Sequence, residues 1–147
     1  MSRFQTAKHL FAPLTANCRD FNERWLATAD PVDPESVSGR WEGEWISHKT
    51  GHRGPLRSVI LAVASDRWRA RFHAGYSRVF RACYATDLIA SRIERGRYQF
   101  KGSSDLGWIA GGVYEYDGEA TSGSLVCRYR SRMDYGEFRL KRVKAPA

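Results

Sequence analysis

From Gly39 to Arg142 the chain alternates apolar and charged side chains with a period of two residues. Turn-forming residues such as glycine, aspartate and serine interrupt the alternation at short intervals, and no helical pattern separates the segments between them. A period of two indicates strands with one buried and one wet face, and closely spaced turns favour antiparallel neighbours. The pattern therefore predicts an all-β fold, an antiparallel up-and-down β-barrel of about eight to ten strands. Two of the predicted turns lie at Thr86-Asp87 and Asp117-Gly118.

A short amphipathic helix is predicted ahead of the strands. Cys18, Phe21 and Trp25 recur at three- and four-residue spacing among charged residues, within a segment that runs from Ala16 to Thr28. Two closely spaced prolines follow and cannot continue a helix. The chain is accordingly expected to consist of an N-terminal helical segment and linker, residues 1–38, and one barrel domain, residues 39–147.

Length, hydropathy and cysteine content set the broad class. The chain has 147 residues, and it contains neither a run long and apolar enough to span a bilayer nor a continuous apolar stretch near Met1 that would form a secretory signal. Cys18, Cys83 and Cys127 form an odd set without metal-ligand spacing, which favours reduced thiols over a disulfide framework. We therefore expect a soluble, cytoplasmic protein without a transmembrane segment.

Phase along the predicted strands assigns a face to each side chain. The apolar members must point into the barrel because their neighbours are charged. By this rule, the side chains predicted to point inward are Trp41, Trp45, Trp68, Phe72 and Tyr129. Arg40 is predicted to point outward, and so are two rows of arginines. The first row is Arg67, Arg69 and Arg71, and the second is Arg128, Arg130 and Arg132.

One predicted strand is apolar on both faces. In residues 56–64, Leu56 and Ile60 share one side while Val59, Leu61 and Val63 share the other. One side fills the barrel and the other needs a cover. The N-terminal helix either covers this wall or caps one open end of the barrel, and the sequence leaves both arrangements open.

The last strand carries a cation on its inward face. Phe138, Leu140 and Arg142 share one phase, so Arg142 ends an otherwise apolar row. A buried guanidinium requires a partner, and the face of Trp41 near the start of the first strand is the best candidate. Gly39, Trp41 and Arg142 are therefore expected to form the structural closure of the barrel.

Gly39-Arg40-Trp41 at the start of the first strand, with Arg142 at the end of the last, resembles the Gly-x-Trp and terminal arginine pairing of the calycins, the lipocalins and fatty-acid-binding proteins. The resemblance spans about Gly39 to Val143. It implies a lipocalin-like barrel that binds a small hydrophobic or amphipathic molecule in its interior. The residues expected to line that site are Trp45, Trp68, Phe72, Phe80, Tyr114 and Tyr129.

Cofactor and metal sites are not predicted. Residues 39–44 also resemble the opening of nitrobindin-type haem barrels, but those need a histidine from the C-terminal half, and the last histidine here is His73. His48 and His52 lie four residues apart in a polar turn without a nearby cysteine or carboxylate to complete a zinc site. We interpret this segment as a solvated turn.

Two other functions remain open. A net charge of +8 and the outer arginine rows are compatible with a packed structural or interaction barrel that meets an anionic surface or a nucleic acid. The same rows are also compatible with a surface partly paired with Glu115, Asp134 and Glu137. The sequence has no nucleophile motif and no Cys/His neighbourhood, so catalytic residues are not predicted; an enzyme would use Tyr114, Tyr129 or Arg142.

Overall fold

The strands of the chain close into one antiparallel barrel in neighbour order, β1 to β8. The structure is a computed structural model and describes residues 14–76, 81–107 and 112–145, with side chains from residue 18 onward. The elements are α1 (Leu14–Ala27), β1 (Gly39–Ser47), β2 (Arg53–Ala64), β3 (Arg67–Gly75), β4 (Arg81–Glu94), β5 (Arg97–Asp105), β6 (Val113–Thr121), β7 (Ser124–Arg130) and β8 (Tyr135–Val143). The predicted fold class is confirmed, with eight strands. In the described part of the chain, no helix is long and apolar enough to cross a membrane.

The barrel closes where β1 pairs with β8. Their register places Trp41 opposite Arg142 and Trp45 opposite Phe138. All four side chains belong to the inward phase, as the alternation predicted. Because inward side chains of β1 lie opposite inward side chains of β8, the apolar faces of the two strands are continuous and line the same interior.

Two of the predicted turns are wrong, because each lies inside a strand. Thr86 and Asp87 belong to β4, where Thr86 is buried and donates a hydrogen bond to the Ser103 carbonyl at 3.1 Å. Gly118 lies within β6, where a Cβ atom would come within 2.1 Å of the Val126 carbonyl oxygen. Gly118 therefore permits close strand contact rather than a chain reversal.

The N-terminal helix lies against the outer wall of the barrel. Phe21 packs with Val59 of β2 and Cys83 of β4 in a second, smaller apolar cluster outside the main core. Of the two arrangements that the sequence left open, the helix therefore covers the wall. The cover is partial, because Leu61 and Val63 on the same face of β2 stay 42% and 59% exposed.

Arg40 departs from the prediction of a wet outward face. It points outward but is only 2% exposed, because α1 and the C-terminal segment cover it. Its guanidinium lies over the Trp25 ring, 5.3 Å from the ring centroid, and donates a hydrogen bond to the Lys144 carbonyl at 2.6 Å. An outward phase means solvent exposure only where nothing packs on the outside of the barrel.

The expectation of three reduced cysteines is also wrong. Cys18 on α1 and Cys83 on β4 form a disulfide with their Cα atoms 5.2 Å apart, which ties the helix to the wall. Only Cys127 is a free thiol, and it is buried in the barrel. The 65 residues between Cys18 and Cys83 hid this pairing, because the helix must first dock on β4 to bring the sulfurs together.

Candidate binding site at the tyrosine end of the barrel

The two ends of the barrel differ in chemistry. The β2–β3, β4–β5 and β6–β7 turns and the linker into β1 lie at one end, here called the arginine end and defined by Trp41 and Arg142. The β1–β2 and β7–β8 turns, the last residues of β3 and β5 and the first residues of β4 and β6 lie at the other, here called the tyrosine end and defined by Tyr84, Tyr116 and Tyr129. Both names refer to side chains that point into the barrel.

Arg142 closes the arginine end. Its guanidinium lies over Trp41, 4.7 Å from the ring centroid, and donates hydrogen bonds to the backbone carbonyls of Ser36, Ser38 and Ser122. Trp41 in turn donates from Nε1 to the Val37 carbonyl at 2.9 Å. These contacts join the linker, the first strand, the last strand and the β6–β7 turn across this end.

Gly39 is required beside this closure. Its φ is +132°, in a region that side chains disfavour, and a Cβ atom there would lie 2.6 Å from an Arg142 guanidinium nitrogen. The structure thus brings together the three residues predicted to close the barrel.

Aromatic rings converge on Phe138 toward the tyrosine end. The Phe138 ring centroid lies 5.0 Å from Tyr129, 5.6 Å from Phe72 and 6.1 Å from Tyr116. Phe72 also stacks on Tyr84 at 5.2 Å. These separations are those of favourable aromatic pairs, so the rings support one another's positions.

Neutral polar groups accompany these rings. The Ser104 hydroxyl and the Tyr116 phenol are hydrogen bonded at 2.7 Å. Asp134 accepts from the Tyr129 phenol at 3.0 Å and from the Ser47 hydroxyl at 2.6 Å. The expectation that Asp134 pairs with the outer arginines is therefore wrong, because the β7–β8 turn directs its carboxylate toward the tyrosine end.

Burial raises the pKa of the phenols at this end. Desolvation is the main cause for Tyr84, Tyr116 and Tyr129, and for Tyr129 the hydrogen bond to the charged Asp134 raises the pKa further. At the outer edge of the tyrosine end, desolvation raises the pKa of the half-exposed Tyr76 to about 12, and Tyr114 and Asp134 contribute to the rise. All these phenols are therefore neutral hydrogen-bonding groups at physiological pH.

Alkaline pH is expected to destabilise the barrel above pH 10. An unfolded tyrosine ionises near pH 10, whereas the folded protein holds these phenolic protons to higher pH, so the phenols' contribution to stability is intact below pH 10 and falls as pH rises. We expect a loss of about 1 kcal/mol between pH 10 and 11 for each of Tyr84, Tyr116 and Tyr129. Urea unfolding at both pH values measures it, and Tyr84→Phe should reduce the total loss by about 1 kcal/mol. Ordinary titration of all phenols in the folded protein would contradict the burial argument.

The structure separates the predicted ligand-binding residues. Trp45, Phe72, Tyr114 and Tyr129 lie toward the tyrosine end, where Tyr114 and Tyr129 are 6.1 Å apart between ring centroids. Trp68 lies toward the arginine end against Tyr98 and Phe100. Phe80 lies outside the described residues. Sequence reasoning missed Tyr84 and Ser104, for which the inward phase of β4 and β5 was the available signal.

The outer arginine rows are largely paired. Four of the six arginines in these rows contact carboxylates: Arg69 with Asp87, Arg71 with Asp20 of the helix, Arg128 with Asp117 and Arg130 with Glu115. A shallow groove of about 990 Å³ runs over this surface and is lined by both signs of charge. The surface alternates in sign rather than forming a continuous cationic face.

One expectation about the histidines is wrong, while the segment with His48 and His52 is an exposed turn, in line with its interpretation as a solvated turn. His48 in the polar turn contacts Glu137 at 3.1 Å, and no metal cluster forms there among the described residues. A Cys/His neighbourhood does exist, contrary to expectation: Cys18, His73 and Cys83 place their ligand atoms within 4.8 Å of one another beneath α1. Residues this far apart in sequence give no spacing signal.

Comparisons with known proteins found one similar solved structure. No protein-family model matches the chain, and no curated protein matches its sequence. A crystal structure of a mutant of the fluorescent protein UnaG is similar over 73% of this chain and 96% of that chain, with a TM-score of 0.41 and 9% sequence identity. The strand order shows that the chain forms a closed antiparallel barrel of eight strands, and the Trp41–Arg142 contact lies where its first and last strands meet.

Proposed function

We propose that this protein binds a small, uncharged aromatic or amphipathic molecule inside the barrel, entering at the tyrosine end. The observation that carries the proposal is the contrast between the ends: one is closed by Arg142 and the linker, and the other combines aromatic rings with neutral hydroxyl groups. Apolar sites with a few placed polar groups are typical of small-molecule pockets.

Solvent contact supports entry at the tyrosine end. Tyr84 and Ser104 toward the tyrosine end each keep 8% of their surface accessible, and although Tyr98 at the arginine end is also partly exposed, the Arg142 hydrogen bonds bridge that end. Tyr76, at the end of β3, is half exposed and packs against Trp45 with ring centroids 5.1 Å apart. A ligand could therefore reach the interior polar groups without disturbing the Arg142 contacts.

The charges favour a neutral ligand over a carboxylate. The inward cation among the described residues, Arg142, lies at the opposite end and is saturated by three carbonyls. Asp134, near the entrance, would repel an anion. Phenol and serine hydroxyls can donate to a carbonyl or accept from a hydroxyl, so we infer a ligand with such neutral groups on a flat apolar body.

Dye binding tests the proposal. Nile red, a neutral aromatic dye with a carbonyl acceptor, is expected to bind and to gain fluorescence, whereas the fatty acid cis-parinaric acid should bind at least about tenfold more weakly. Tyr114→Phe and Tyr129→Phe should each weaken Nile red binding about fivefold, because each removes one hydroxyl worth about 1 kcal/mol.

Tyr98→Phe is the matched control. It removes the same hydroxyl beside Trp68, toward the arginine end, and should leave Nile red affinity within about twofold. Failure of wild-type protein to bind either probe would argue for a filled interior. An equal loss of affinity in Tyr98→Phe would contradict entry at the tyrosine end.

A packed interaction barrel is the second candidate function. The ring contacts around Phe138 favour it, because side chains that already fill the interior leave little room for a ligand. The net charge of +8 would then attract an anionic partner, although the carboxylate-paired arginines reduce the charge available. An enzyme using Tyr114, Tyr129 and Arg142 together is disfavoured, because Arg142 lies at the other end of the barrel.

A cytoplasmic location stays part of the proposal. Cytosolic reductants keep most thiols reduced, so Cys18 and Cys83 would there exchange between disulfide and dithiol rather than stay permanently bonded.

A further inference from the structure

A buried cluster of two sulfurs and one imidazole lies between α1 and the barrel wall. Cys18 comes from the helix, His73 from β3 and Cys83 from β4, and their ligand atoms lie within 4.8 Å of one another. Phe21 and Val59 pack around Cys83 and keep its surroundings apolar. The cluster is outside the barrel, separate from the site at the tyrosine end.

The His73 ring has an unused ligand atom in this cluster. His73 is 8% exposed, and its Nε2 is buried without a hydrogen-bond partner. The His73 ring also forms a hydrogen bond to the backbone of His73 itself. Because Nε2 has no partner, Nδ1 is the ring nitrogen that makes this bond. A buried Nε2 without a partner costs stability unless something binds it.

We propose that reduction of the Cys18–Cys83 disulfide opens a zinc site formed by the two cysteine thiolates and His73 Nε2. In the oxidised protein both sulfurs are bonded to each other, and zinc needs them as thiolates. The disulfide therefore has to be reduced before the metal can bind.

The chemical steps balance with a dithiol as the reductant. The dithiol supplies two electrons and two protons, becomes a disulfide itself, and converts Cys18 and Cys83 to thiols. Zn²⁺ then replaces the two thiol protons, which pass to solvent, and accepts the Nε2 lone pair. A disulfide oxidant reverses the first step and releases the metal.

Geometry and charge fit zinc. Zinc takes thiolates at about 2.3 Å and imidazole nitrogen at about 2.0–2.1 Å in a tetrahedral arrangement, which sets neighbouring ligand atoms about 3.5–3.8 Å apart. The cluster holds all three atoms within 4.8 Å while its sulfurs are bonded to each other, so reduction has to let the two sulfurs move apart before zinc can lie between them. A thiolate pair neutralises the charge of Zn²⁺, so the bound metal leaves no net charge in these apolar surroundings. Among the described residues the cluster has three protein ligands, so water would take the fourth position.

Metal titration of oxidised and reduced full-length protein tests the proposal. Reduced protein, freed of the reductant without air, should bind one equivalent of Co²⁺ with a thiolate-to-cobalt charge-transfer band, and Zn²⁺ should displace it. Cys83→Ser should abolish the band, and His73→Gln should weaken zinc binding at least about tenfold. His52→Gln and Cys127→Ser are the controls and should bind as the wild type does.

A second measurement needs only wild-type protein. Zinc should raise the Tm of the reduced protein and leave that of the oxidised protein unchanged, because a ligand stabilises only the state that binds it. Absence of metal binding by reduced protein, equal binding by oxidised protein, or unchanged affinity in His73→Gln would overturn the proposal.

Discussion

Replacing Arg142 with alanine is expected to lower the free energy of unfolding by about 4 kcal/mol. The substitution removes a guanidinium that donates to the carbonyls of Ser36, Ser38 and Ser122 and covers the Trp41 ring. Hydrogen bonds from a charged donor contribute about 1.5–3 kcal/mol each, and partial access of water to the freed carbonyls offsets part of the loss. Urea unfolding followed by tryptophan fluorescence measures the change.

Two variants control this prediction. Arg142→Lys keeps the charge but loses the planar stack and the multiple donors, so we expect roughly half the loss. Arg139→Ala removes an exposed arginine from the same strand, where it contacts Glu137 at 2.7 Å, and should cost less than about 1 kcal/mol. Equal destabilisation by Arg142→Ala and Arg139→Ala would show that Arg142 does not close the barrel.

Removing the disulfide is expected to have an effect of similar size. The Cys18→Ala/Cys83→Ala double variant frees a loop of 65 residues in the unfolded chain, for which loop-closure entropy predicts a loss of about 4 kcal/mol. The helix should stay docked at moderate temperature, because Phe21 and the Arg40–Trp25 contact remain. Thermal and urea unfolding of the oxidised wild type and the double variant measure the difference.

Dithiothreitol provides the internal control for the disulfide. It should destabilise the wild type by nearly the amount that the double substitution does, and it should leave the double variant unchanged. Adding zinc to the reduced wild type should restore part of the lost stability if the site beneath α1 forms. A double variant as stable as oxidised wild type would contradict the stabilising role of the disulfide.

The architecture was predictable because strand periodicity is a local signal. Each residue of an alternating strand reports its own face, so Trp45, Phe72 and Tyr129 could be assigned inward without knowledge of strand order. The register of β1 with β8 then brought Trp41 opposite Arg142, as the inward phase of both required. The number of strands was harder to predict, because two residues typical of turns lie inside strands. Gly118 permits close packing of neighbouring strands, and Asp87 forms an ion pair with Arg69.

Two of the departures depend on contacts between distant parts of the chain, and a third on the conformation of a turn. Arg40 is buried because Trp25 folds over it, and Cys18 meets Cys83 only after the helix docks. Asp134 looked like a surface partner for arginine, yet its turn directs it to Tyr129. No spacing rule covers such pairs, because each is fixed by tertiary packing.

Chemical-shift mapping of Nile red binding by NMR tests the central claim most directly. Saturating dye is expected to shift the signals of Tyr84, Ser104 and Tyr129 at the tyrosine end, and to leave those of Trp41 and the Arg142 side chain unchanged. Shifts confined to the outer arginine rows, or at the Trp41 and Arg142 end, would contradict ligand binding inside the barrel through the tyrosine end.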